Sequence, residues 1–145
     1  MLKKVVKVGP KVSEKDLQVV EETIKTKIPN QLRDHVLYYN GGQPIPNSIS
    51  VEDERFEIHE FIEFKSKNGS ALVDCMRNLH MQDTPFFPEH LLPFARDPGG
   101  DYFCISLRKK DLGSIWKFNM DYYDNPKRNV TRLFSSFNEF LEAFV

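Results

Sequence analysis

Leu91-Leu92-Pro93-Phe94-Ala95-Arg96-Asp97-Pro98-Gly99-Gly100-Asp101-Tyr102-Phe103-Cys104-Ile105-Ser106-Leu107 sets two apolar runs on either side of a turn-forming centre. Pro98 presets one turn dihedral, Gly99 and Gly100 allow positive φ, and the flanking aspartates bond nearby backbone amides. The stretch therefore reads as a hairpin or tight corner between core strands. Two carboxylates, Asp97 and Asp101, stand at the rim of the surface that the turn edges. Geometry alone accounts for the Gly, Pro and Asp residues, so the turn by itself names no function.

Upstream, Asn68 or Ser70 caps a helix in which Leu72, Cys75, Met76 and Leu79 share a face, and Pro85 and Pro88 end it. Downstream, the polar connection Arg108-Lys109-Lys110-Asp111 leads to a strand over 113–118. Asp121 to Pro126 is a loop carrying Tyr122 and Tyr123, a residue type that favours protein interfaces, although packing over a sheet edge explains the pair equally. Val130 to Phe134 reads as a last strand. Ser136-Phe137-Asn138-Glu139 is a capping box before Phe137, Phe140, Leu141 and Phe144 at helical spacing.

The N-terminal half begins with Lys3, Lys4, Lys7 and Lys11 and no acid, so residues 1–12 form an arm or an edge strand. Ser13-Glu14-Lys15-Asp16 has capping-box spacing, and Leu17, Val20, Ile24 and Ile28 follow on one stripe, which predicts a helix over 14–27. Pro29 stops it, Asn30 caps the next, and Asn40-Gly41-Gly42 supplies left-handed geometry at that helix's end. Two prolines in Gln43 to Asn47 predict a loop. Ser48 to Val51 and Arg55 to His59 alternate as half-buried strands joined by Glu52-Asp53-Glu54. Glu52, Asp53, Glu54, Glu57, Glu60 and Glu63 face a single Arg55, the strongest local charge bias in the chain; most such clusters are solvated surface.

The order helix, helix, strands, helix, strands, helix predicts an α+β fold: a single domain over residues 1–145, its central and mostly antiparallel sheet flanked by N-terminal, middle and C-terminal helices. At 145 residues and 40% hydrophobic content the chain has material for one core. Twenty basic against twenty-one acidic residues leave a net charge of −1, which disfavours a dedicated nucleic-acid binder. The N-terminus carries no signal-length apolar run and the chain no spanning segment, so the expected compartment is the cytoplasm, with no membrane association. Cys75 and Cys104 then read as reduced core thiols.

Catalytic and metal patterns are weak. His59-Glu60-Phe61-Ile62-Glu63 opens like a zinc-protease helix but has Glu63 where the second histidine belongs. The remaining histidines and cysteines form no close-spaced ligand pair, and neither a phosphate loop nor a nucleophile elbow occurs. Asp97 and Asp101 form the one candidate carboxylate pair, although both are expected to be solvated beside two glycines. No metal, cofactor or small-molecule substrate is expected, and the oligomeric state is left open.

Five landmarks in order resemble the SUKH superfamily, also called the SMI/KNR type: Ile28-Pro29, Tyr39-Asn40-Gly41-Gly42, Phe94 to Asp101, Gly113-Ser114-Ile115-Trp116 and Phe134 to Leu141. They span residues 13 to 145; the region between Ser48 and Phe64 departs from the family pattern. The resemblance implies an α+β domain and no catalytic site. It further implies a bacterial immunity protein that binds and neutralises a cognate toxin domain, often a nuclease, or, as in eukaryotic members, a regulatory adaptor on a housekeeping protein. On that reading the partner-binding candidates are Glu52, Asp53, Glu54, Glu57, Asp97, Asp101, Tyr102, Tyr122 and Tyr123. A small hydrolase built on Asp97 and Asp101 is the third class.

Overall fold

The computed structural model describes residues 1–80 and 86–145. Helix α1 (Glu14–Ile24) begins on the predicted reciprocal cap: the Ser13 hydroxyl accepts the Asp16 amide, and the Asp16 carboxylate accepts the Ser13 amide at 2.9 Å. It ends short of residue 27 because Lys25 turns left-handed at φ 61° and the Lys25 and Thr26 amides both fold back onto the Glu21 carbonyl. Helix α2 (Asn30–Tyr38) takes Pro29 at its N-cap, so Asn30 lies inside the helix and makes no capping bond. The Arg33 guanidinium bonds both Glu14 and Glu21, tying α2 to α1.

Gln43 to Asn47 departs from expectation. Strand β1 (Lys4–Val6) pairs antiparallel with β2 (Gln43–Ile45), and Pro44 sits opposite Val5. A proline is tolerated there because a two-stranded ribbon has free edges and its missing N–H interrupts no central ladder. Strands β3 (Ser48–Val51) and β4 (Glu54–Glu57) form a second ribbon. Helix α3 (Ala71–His80) starts where the Ser70 hydroxyl accepts the Val73 amide. The predicted stop at Pro85 lies outside the described residues.

The main sheet is antiparallel in the order β5 (Glu60–Phe61), β6 (Leu91–Arg96), β7 (Tyr102–Ser106), β8 (Ile115–Phe118), β9 (Val130–Phe134). Its centre is the β6–β7 hairpin read from the sequence, with Arg96 opposite Tyr102 and a register shift between Pro93 and Ala95. Side chains alternate between the two faces. One face sends Leu92, Phe94, Phe103, Ile105 and Ile115 against α1, α2 and α4 (Phe137–Glu142). The other sends Leu91, Cys104 and Phe118 against Leu79 and Phe87.

On the first face Phe140 meets the rings of Phe94, Phe137 and Phe144 at 5.2, 5.7 and 5.2 Å. Burying each such side chain contributes about 1.5–3 kcal/mol. Ser136 caps this helix, its hydroxyl accepting the Glu139 amide, but the predicted box closes one residue early: the Glu139 carboxylate accepts the Ser135 amide at 2.9 Å instead of that of Ser136. After α4 the chain runs beside β3: Ser50 donates to the Ala143 carbonyl at 3.0 Å and Val145 to the Ser48 carbonyl at 2.9 Å. The Met1 amine donates to the Phe144 carbonyl at 2.6 Å, so both chain ends are stitched to the core beside the β3–β4 ribbon.

Candidate partner-binding site

Asn40-Gly41-Gly42, one of the sequence landmarks, is a buried junction. Asn40 is 3% exposed, and its Nδ2 donates to the carbonyls of Pro10 at 2.7 Å and Lys65 at 2.6 Å. Its Oδ1 accepts the amides of Phe64 at 2.8 Å and Lys65 at 3.3 Å. All four bonding positions of the amide group are thereby used. Gly42 has φ 93°, and a Cβ there would lie 2.6 Å from the Val6 carbonyl oxygen. The motif holds the N-terminal arm, the exit from α2 and the approach to α3 together. The predicted left-handed residues are present, but they follow an extended Tyr39, so they turn the chain rather than cap the helix.

The β3–β4 ribbon behaves differently. Ile49 is fully buried and Phe56 packs inward opposite it, while Glu52, Asp53, Glu54, Arg55 and Glu57 are exposed. The turn is shorter than predicted, because Glu54 already pairs with Val51. Glu52 therefore takes φ 54° in a turn where Asn, Asp or Gly is preferred. Among the described residues Glu52, Asp53, Glu54 and Glu57 make no ion pair; Glu57 accepts one long bond, 3.3 Å, from Asn47.

The structure divides the six-acid cluster of the sequence. Glu60 pairs with Arg96 at 3.0 Å, and Glu63 packs against the backbone of Gly9 and Gly41. Only the four hairpin acids stay free. Sequence spacing grouped all six because it could not see that the strand break after Glu57 sends Glu60 into the main sheet.

Asp101 is joined to that hairpin through Lys117 of β8. The Lys117 ammonium lies 2.9 Å from Asp101 Oδ2 and 5.2 Å above the centre of the Phe56 ring. Asp101 Oδ1 also accepts the Met120 amide at 2.9 Å, and Asp97 Oδ1 accepts the Asp101 amide at 2.8 Å. Contrary to the expected solvation, Asp101 is mostly buried in this network, with 16% of its side chain exposed. A lysine at a core-facing position of an otherwise apolar strand, opposite Phe103, was the available signal, and strand propensity alone does not read it.

The tyrosines separate. Tyr102 lies on the opposite face of the sheet, half-buried against Cys75, and burial pushes its hydroxyl up to about 12. Tyr122 is covered by the Arg128 guanidinium 3.9 Å from its ring centre. It follows Met120 on a 3-10 turn, which places it near Asp101. Tyr123 is half exposed and meets Phe86 edge-on at 5.3 Å, beside an apolar groove of about 510 Å³. Thus Asp97, Asp101 and Tyr102 all stand at the turn end of the β6–β7 hairpin, with Tyr102 on the other face, and Glu57 lies on the separate β3–β4 ribbon.

Other polar groups are engaged in holding connections. Asp111 accepts Arg108 Nε and Nη2 at 2.9 and 2.8 Å and the Ser106 hydroxyl at 2.6 Å. The Arg108 guanidinium is the main reason its carboxyl is held down to about 2. His35 is buried among Tyr39, Phe61 and Phe137, its Nε2 has no hydrogen-bond partner, and burial lowers it to about 4. Among the described residues no group of three or more His, Cys, Asp or Glu is placed to hold a metal, and no helix is long and apolar enough to cross a membrane.

The chain is an α+β domain with a five-stranded antiparallel sheet and, beside it, a separate hairpin whose carboxylates are exposed and free of ion pairs. The sequence profile of the SMI1/KNR4 family (SUKH-1) matches residues 11–143, and the chain belongs to that family. The match runs across the hairpin region as well as the landmarks. No curated protein matches the chain. Family membership is consistent with an immunity-type protein and suggests a protein partner.

Proposed function

We propose that this chain is a non-enzymatic bacterial immunity protein that binds the toxin domain made by its own cell, in the cytoplasm, and neutralises it. The observation that carries the reading is the hairpin. Glu52, Asp53, Glu54 and Glu57 are exposed and free of ion pairs, on a ribbon anchored through buried Ile49. Glu52 also occupies a left-handed position that a glutamate does not favour. A nuclease toxin carries a basic cleft for phosphates; a rigid acidic hairpin competes for that field and speeds encounter.

Asp97 and the exposed rim around Tyr122 extend the proposed surface, and Tyr123 flanks it. Asp101 supports it from below through Lys117, and Tyr102 falls outside it. Asp101, one of the two carboxylates of the hydrolase alternative, accepts from Lys117 and from the Met120 amide, which favours a supporting role for it.

The test is capture of partners from the native cell on the tagged protein, at low salt and again at roughly 0.5 M salt, where exposed charge attraction is screened. The expected result is one toxin-like domain, held less well at high salt, whose toxicity is relieved by co-expression. Recovery of host regulatory proteins alone would replace immunity with the adaptor role.

A further inference from the structure

The dipeptide Asn-Gly occurs at 40–41 and at 68–69, in opposite surroundings. Asparagine cyclises when the next residue's amide nitrogen reaches the side-chain Cγ, and glycine, lacking Cβ, leaves that approach open. Asn40 is locked against this: it is 3% exposed, and its four hydrogen bonds would have to break before the side chain could turn. Asn68 is exposed, and among the described residues its side chain has no hydrogen-bond partner. Gly69 sits at φ 134° with nothing within 4 Å of a Cβ position, and its N–H makes only a 3.4 Å bond to the Ser66 carbonyl.

We propose that Asn68 is a site of spontaneous covalent modification, with water as the only co-reactant. The Gly69 nitrogen loses its proton and bonds to Asn68 Cγ, and the side-chain nitrogen leaves as ammonia. The resulting cyclic imide adds water at one of its two carbonyls, giving aspartate or isoaspartate. In sum, an amide and water become a carboxylate and ammonium, and the chain becomes one unit more negative than its starting −1.

The two products differ in what they do to the fold. Aspartate places its charge two residues before Ser70, at the positive end of α3, in a groove lined by Lys65 and Arg77 as well as by Asp16 and Asp74. Isoaspartate adds a backbone carbon inside the 66–69 turn, where Ser66 donates to the Gly69 carbonyl at 2.7 Å and the Ser66 hydroxyl accepts the Ala71 amide at 3.0 Å. The first is tolerated; the second loosens the start of α3.

The experiment incubates the folded chain at mildly alkaline pH, cuts it with trypsin and follows two peptides by mass spectrometry, Asn68 to Arg77 and Asp34 to Arg55. In the folded chain the amide-to-acid conversion at Asn68 runs at least an order of magnitude faster than at Asn40, and it gives two products separable by chromatography. In the urea-unfolded chain the two sites convert at comparable rates, and Asn68→Gln removes the early product. Persistence of the Asn68 amide in the folded chain for as long as that of Asn40 would overturn the proposal. So would the absence of conversion at Asn68 in the unfolded chain.

Discussion

The Asn40-Gly41-Gly42 junction and the Glu52–Glu57 hairpin are close in the chain and treat their polar groups in opposite ways. At the junction every atom of the Asn40 amide group is bonded, and Gly42 has no room for a Cβ. On the hairpin four carboxylates face water without a counter-ion, on a turn that wants a different residue. The difference teaches where the fold dictates residues and where it leaves them free to vary. A buried, fully bonded junction is costly to change anywhere, whereas an exposed tip is nearly free to change as far as stability is concerned.

The largest expected effect is at the junction. Asn40→Ala leaves the Phe64 amide and the Pro10 and Lys65 carbonyls without their partner, and is expected to cost about 3–5 kcal/mol in urea unfolding. Gly42→Ala forces a side chain into left-handed backbone against Val6 and should cost about 2–4 kcal/mol. A loss below one kcal/mol for both would erase the contrast.

Next comes acid sensitivity at the neighbouring His35, whose surroundings are the rings of Tyr39, Phe61 and Phe137. Burial lowers it from 6.5 to about 4, so between those values the unfolded chain binds a proton that the folded chain refuses. The stabilisation is complete above the upper value and fades as pH falls toward the lower one, by about 3 kcal/mol in total. Unfolding measured across this window should show that slope, and His35→Phe should flatten it. The carboxyl of Asp111, held down to about 2, loses its contribution only at lower pH, so the two effects separate.

Smaller still is the joint between the two regions' surroundings. Lys117→Met strands the largely buried Asp101 carboxylate and releases Phe56, at an expected cost of about 1–3 kcal/mol. Hydrogen exchange should quicken on β4 and at Met120 while the amides of Phe64 and Lys65 keep their protection. Equal quickening at all of these sites would mean that the hairpin and the junction are one cooperative unit.

Local chemistry explains what was legible. The β6–β7 hairpin, the caps at Ser13 and Ser136 and the stripe of Phe137, Phe140 and Phe144 each rest on residues near one another in the chain, so spacing reveals them. Pairings over distance were not legible. β1 finds β2 across more than thirty intervening residues, against the local advice of Pro44. Asn40 gathers Pro10, Phe64 and Lys65, and nothing beside it in sequence announces that role. At the candidate site the charge bias of the hairpin was legible, but not its separation from Glu60 and Glu63, nor the contact of Phe56 with Lys117, both of which depend on where the strands turn.

The smallest effect on stability, and the most direct test of the account, is the charge reversal Asp53→Lys, Glu54→Lys, Glu57→Lys. These residues are exposed and free of ion pairs, so unfolding should shift by no more than about 0.5 kcal/mol. The decisive measurement is the association rate of this variant with the partner captured by the native chain, at low and high salt. The account predicts slower association at low salt and a weakened salt dependence, with the fold unchanged. Association as fast as the native chain's, with the same salt dependence, would contradict it and leave the hairpin a solvated face.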